Sequence, residues 1–177
     1  MDHYAQKIIP PTFLFIVGCF PFVALAYGLP THRALTDETV DFFNLIYSDS
    51  VFSEQEKELI KKGSIDEDEN TQLRWMRHFY DPVHNRGLTY EFDQWHSSKE
   101  WAQDTVAQAA IDPQKTTLLA STLRYFDADT DYSWDRAIYD YAWGNKQRGL
   151  EALGHVLHLI QDSAVPDHTR NDPHPPL

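Results

Sequence analysis

At 177 residues the chain is long enough for one domain with a sizeable core. Its formal charge of −12 argues against a nonspecific nucleic-acid binder, which needs a Lys/Arg excess to hold phosphates, and against docking on anionic lipid. Cys19 is the single cysteine, so no intrachain disulfide can form.

The N-terminus reads as an export signal spanning 1–26. A polar start with Lys7 leads into an apolar stretch from Ile8 to Val23, broken by Pro10, Pro11 and Pro21. Ala24-Leu25-Ala26 supplies the small-x-small pattern that signal peptidase accepts, so Tyr27 is the expected mature N-terminus. The prolines and the length argue against a stable spanning helix. The destination expected is secreted or periplasmic. A lipoprotein is the alternative, because Ile16-Val17-Gly18-Cys19 resembles a lipobox. The apolar residues after Cys19 (Phe20, Pro21, Phe22 and Val23) are unlike a tethering linker.

From 27 to 177 the pattern is that of an all-α, single multi-helix domain. Leu35, Val40, Phe43 and Leu45 predict a helix over 31–47. Ser53 is placed to cap a helix running to Lys62, with Gly63 at its end. An acidic loop follows through Asp68 to Asn70, then a turn or two of helix within 71–79 and an irregular connection over 81–94. Further helices are expected from Ser97 to Ala110, over 116–126, over 134–143 and over 146–163. The five tryptophans read as core or cleft-lining residues, and the run from Asp127 to Asp131 as a solvated turn. The tail Asn171-Asp-Pro-His-Pro-Pro-Leu177 does not read as a closing element, and a longer protein is expected to continue beyond it.

His158-Leu-Ile-Gln-Asp162-Ser-Ala-Val-Pro166-Asp-His168 carries the strongest chemical signal. His158 and Asp162 stand at i and i+4, so one helical face presents both. His168 lies just beyond that helix, placed to serve a neighbouring ion. Nitrogen and carboxylate donors without thiolate suit zinc in a hydrolytic site. His32, Asp68 and His78 add candidates from three upstream segments, with Asp66 as the alternative to Asp68. His155, one turn before His158, is either a support for the cluster or a packing or surface residue. His84, His96 and His174 receive no role.

The order and wording of these motifs, His-x3-Asp-x3-Pro-x-His at 158–168 and His-Phe-Tyr-Asp-Pro at 78–82, resemble the zinc-dependent phospholipase C family and its distant relatives, the fungal zinc single-strand nucleases. The resemblance implies one zinc held by Asp68, His78, His158 and Asp162. It implies a second that shares Asp162 and adds His32 and the terminal amino and carbonyl groups of Tyr27. His168 matches the first ligand of a third zinc, whose remaining ligands these 177 residues do not supply. Two to three Zn²⁺ are thus implied; three would shift the charge from −12 to roughly −6, concentrated in one cleft.

The activity implied is hydrolysis of a phospholipid headgroup ester or another phosphodiester, with transient contact at a membrane surface. Two alternatives stand beside it: a nuclease acting on single-stranded nucleic acid, and a non-catalytic domain that zinc merely stabilises. Zinc neutralises the anionic oxygens that repel a nucleophile and lowers the pKa of water to roughly 7. Asp68, at the edge of the set, is the candidate catalytic base or water orienter; a ligand role alone is equally open.

Overall fold

The structure is a computed structural model that describes residues 27–49, 51–68, 73–90, 93–111 and 128–173. The export signal, the Cys19 lipobox, the helix expected over 116–126, Asp127 and the tail from His174 onward lie outside the described residues. Those described are mostly helical, with seven α-helices and one two-stranded hairpin. None of these helices is long and apolar enough to cross a membrane.

Helix α1 (Leu29–Ile46) begins two residues earlier than the periodicity suggests, because Pro30 sits in its first turn. His32, Thr36 and Val40 recur at i, i+4 and i+8, and form its buried stripe. Helix α2 (Glu54–Asp66) starts at the expected Ser53, whose hydroxyl accepts from Glu56 N while the Glu56 carboxylate accepts from Ser53 N. It does not stop at Gly63. A Cβ there would lie 1.9 Å from the Glu151 carbonyl oxygen, so Gly63 serves a close helix crossing rather than a helix end.

The partner in that crossing is α6 (Lys146–Asp162), whose Gly154 is the reciprocal contact: a Cβ on it would fall 2.0 Å from the Ile60 carbonyl. Asn145 caps α6 by accepting from Gln147 N and Arg148 N. Val40, Ile60 and Leu150 fill the space between α1, α2 and α6, with Phe52, Leu59, Leu153 and Leu157 packed around them. Lys57 and Lys61 tie α2 to α1 through Asp41 at 2.6 Å and Asp37 at 2.7 Å.

Between α2 and α6 the described residues form short pieces. Arg74–Arg77 makes a single 3-10 turn, and β1 (Thr89–Tyr90) pairs antiparallel with β2 (Asp93–Gln94). The helix expected from Ser97 to Ala110 divides into α3 (Ser98–Trp101) and α4 (Thr105–Ala110), because the Asp104 side chain caps a new start at Ala107 N. Helix α5 (Trp134–Ala142) packs on α6, and α7 (Pro166–Arg170) begins at the proline that follows it. Trp101 is fully buried, but Trp143 is 76 % exposed, so the tryptophans do not share one role. Asp131 is buried, its carboxylate accepting from Ser133 N, rather than solvated.

Candidate metal centre

Five elements deliver side chains to one point. His32 comes from the first turn of α1 and Asp68 from the turn just past α2. His78 follows the 3-10 turn, His158 and Asp162 share the last turns of α6, and His168 sits on α7. The four histidines and Asp162 are buried; Asp68 is the exception, its side chain 28 % exposed. Sequence separation of up to 136 residues (32 to 168) is closed by the α2–α6 crossing and by α1 lying against both.

Asp162 stands at the middle, and each of its oxygens faces two imidazoles. Oδ2 lies 3.0 Å from His78 Nδ1 and 3.1 Å from His158 Nε2. Oδ1 lies 3.4 Å from His32 Nε2 and 3.3 Å from His168 Nδ1. On the Oδ2 side, His158 Nε2 and His78 Nδ1 are 3.3 Å apart, and Asp68 Oδ1 stands 3.5 and 3.6 Å from His78 and His158. Tetrahedral zinc with bonds of about 2.0–2.1 Å separates its ligand atoms by about 3.3–3.4 Å. Five of the six edges of that tetrahedron are therefore present within a few tenths of an ångström.

On two of the rings the outer nitrogen is fixed, which leaves the inner one as a lone-pair donor. His158 Nδ1 donates to the Ser64 carbonyl at 2.7 Å, and His32 Nδ1 to Gln161 Oε1 at 2.7 Å. Glu67 Oε1 faces His78 Nε2 at 3.6 Å. Metal-binding histidines characteristically donate the other N–H as His158 and His32 do, whereas His78 Nε2, buried, makes no hydrogen bond. Inside the cluster, His32 Nε2 and both Asp162 oxygens have no hydrogen-bond partner although they are buried. A cation accepting their lone pairs would account for them.

The electrostatics agree. Burial works against a charge on His78, yet the Asp162 and Glu67 carboxylates raise it to about 10. Burial also opposes ionisation of Asp162, but His158, His168 and His32 hold its carboxyl well below the ordinary range. The pocket thus favours positive charge next to a bridging carboxylate, and a cation taking the His78 Nδ1 lone pair would displace a proton as it binds.

The structure brings together His32, Asp68, His78, His158, Asp162 and His168. The donor atoms of Asp68, His78 and His158, and those of His32, His158 and Asp162, each lie within 4.8 Å of one another. His168 gathers on the same carboxylate oxygen as His32. Tyr27 lies beside the cluster, its ring edge-on to His32 at 5.9 Å. Asp66 turns away to Lys62, 2.8 Å distant. His84 and His96 pair with Asp81 and Asp104 away from the cluster.

Glu67, Arg74 and Gln161 escaped the sequence reading. Glu67 looked like one acid in an acidic loop, yet it is fully buried. An Arg seven residues on was the available hint, since a buried carboxylate needs a cation beside it. His155 is buried as well, with Nδ1 2.5 Å from Glu67 Oε2, which places it behind the cluster as a support. Burial pushes its imidazole below the ordinary value even with Glu67 adjacent. Compared with protein-family models, curated proteins and solved structures, the chain shows no match.

Proposed function

We propose that this chain is an exported zinc-dependent phosphodiester hydrolase of the phospholipase C type. The observation that carries the proposal is the bridging position of Asp162, with two imidazole nitrogens on each oxygen and Asp68 completing one four-donor set. Adjacent donor sets sharing a carboxylate are the arrangement by which paired metals clamp a phosphodiester.

Zinc, when bound, supplies Lewis acidity toward a phosphoryl oxygen and makes water acidic enough to ionise near neutral pH. The protein does the rest. Asp162 holds two donor groups at one point and offsets the charge that gathers there. Ser64 and Gln161 fix the His158 and His32 imidazoles so that neither ring must reorient as substrate arrives. Asp68, the donor partly open to solvent, is the residue we assign to orient or deprotonate water, with a ligand role alone as the alternative.

A second reading draws on the burial of the other five donors, each with a side chain no more than 5 % exposed, which suits a zinc that only stabilises the fold. The deciding experiment uses protein processed to begin at Tyr27, assayed on a chromogenic phosphocholine ester and on single-stranded DNA, with and without chelator. Chelator-sensitive release of the chromophore supports the lipase reading, and digestion of DNA moves the assignment to a nuclease. Bound zinc with neither activity leaves the structural role.

A further inference from the structure

Glu67 sits where two buried networks meet. Its Oε2 accepts from Arg74 Nη1 at 2.8 Å and faces His155 Nδ1 at 2.5 Å; its Oε1 accepts from Trp101 Nε1 at 3.0 Å and faces His78 Nε2 at 3.6 Å. Two oxygens thus meet four nitrogen groups. Trp101 and Arg74 can only donate, so each oxygen must accept. Arg74 is itself held, donating to the Thr130 carbonyl with its guanidinium over the Tyr132 ring.

That arrangement favours one form of His78 once zinc is bound. His78 Nδ1 faces the Asp162 carboxylate at 3.0 Å, whereas the buried Nε2 has no hydrogen-bond partner and Glu67 Oε1 is the acceptor facing it, at 3.6 Å. A zinc ion taking the Nδ1 lone pair beside Asp162, His158 and Asp68 would leave the His78 proton on Nε2, toward that carboxylate. We propose that Glu67 is a positioning residue that locks His78 in the Nδ1-coordinating form and thereby sets zinc affinity at the Asp68–His78–His158–Asp162 position. The inference rests on the zinc reading above. An amide cannot replace the carboxylate: whichever way Gln is turned, its NH2 group confronts either Trp101 Nε1–H or the Arg74 guanidinium. The effect is selective, because His32 is fixed by Gln161 and not by Glu67.

The test is titration with Zn²⁺ alone against a chelating indicator, on wild type and Glu67→Gln, both beginning at Tyr27. Nitrogen-15 NMR of the histidine rings records which nitrogen of His78 carries the proton. Wild type is expected to bind about two zinc ions, with His78 protonated on Nε2. Glu67→Gln is expected to weaken one position about 10–100-fold and leave the other unchanged. A residue that merely stabilised the core would lower the melting temperature without moving the His78 signals. Zinc affinity and His78 signals both unchanged in a folded Glu67→Gln overturn the role of Glu67 alone. Wild type that binds no zinc overturns the zinc reading and this inference with it. Should Glu67→Gln fail to fold, the zinc-loaded wild-type spectrum decides: metal on His78 Nε2, or an Nε2–H signal without the downfield shift of a carboxylate hydrogen bond, overturns the assignment, and metal on Nδ1 with an Nε2–H so shifted upholds it.

Discussion

Glu67 and Asp68 are neighbours in the chain, yet their carboxylates stand on opposite sides of one imidazole. Glu67 Oε1 is 3.6 Å from His78 Nε2, and Asp68 Oδ1 is 3.5 Å from His78 Nδ1. The turn that ends α2 sends consecutive side chains in different directions, one inward to Arg74 and one toward solvent. A two-residue acidic step thereby supplies both a support and a donor to the same ring.

Asp162→Asn is expected to empty both donor sets. The amide keeps the shape but removes the charge, and one of its two ends becomes an N–H donor aimed at imidazole nitrogens. Elemental analysis should show zinc falling from about two ions per chain to below one. Undiminished zinc in this variant would mean that Asp162 bridges nothing.

Asp68→Asn separates the two roles open to that residue. As the most exposed donor, its loss leaves His78, His158 and Asp162 in place. If Asp68 serves as base or water orienter, kcat falls by about 10²–10⁴ with zinc retained. A parallel loss of zinc and activity, restored together by added zinc, assigns it as a ligand only. Paired measurement of zinc content and kcat distinguishes the outcomes.

Much of the cluster was legible because its donors are polar residues at fixed spacings. His158 and Asp162 at i, i+4 need only a helix, and that helix forms. What the sequence hid depends on tertiary approach. Gly63 reads as a helix end by local rules, but its lack of a Cβ is used against Glu151 in α6, 88 residues away (63 to 151). Glu67 and Asp66 are indistinguishable in composition; burial beside Arg74 separates them, and burial is a property of the packed chain. Asp104 divided a helix because a side-chain cap competed with helix continuation, a contest that spacing alone does not decide.

Stability should respond to acid through Glu56, far from the cluster. Lys146 at 2.6 Å, together with the backbone and hydroxyl of Ser53, lowers its pKa from 4.5 to about 2. A depressed folded pKa stabilises above the unfolded value, so the contribution is complete above pH 4.5 and is lost as pH falls toward 2. Glu56→Gln should reduce stability by about 0.5–1 kcal/mol at neutral pH, since the pair is partly exposed and part of a cap. Urea unfolding with chelator present, between pH 2 and 7, should show the two proteins converging at the acid end. A constant difference across the range would assign the effect to packing instead.

Gly154→Ala tests whether the helix crossing builds the metal centre. By helix propensity alone, alanine would stabilise α6 by about 1 kcal/mol. Here its methyl group would meet Ile60 O at 2.0 Å, Ser64 N at 2.8 Å and Gly63 Cα at 2.9 Å, all backbone atoms that cannot rotate aside. Relief requires α2 to move off α6, and the expected destabilisation is about 2–3 kcal/mol. The same movement carries the Ser64 carbonyl away from His158 Nδ1 and Asp68 away from His158 Nε2. Zinc affinity should therefore fall together with stability. Gly28→Ala is the control, because a methyl group there meets only Pro30 Cδ at 3.8 Å, and its stability should stay within about 1 kcal/mol of wild type. Denaturant unfolding and zinc titration on both variants would test the link. A Gly154→Ala protein that loses stability but binds zinc like wild type would show that α2 and α6 hold the donors by some means other than their close contact.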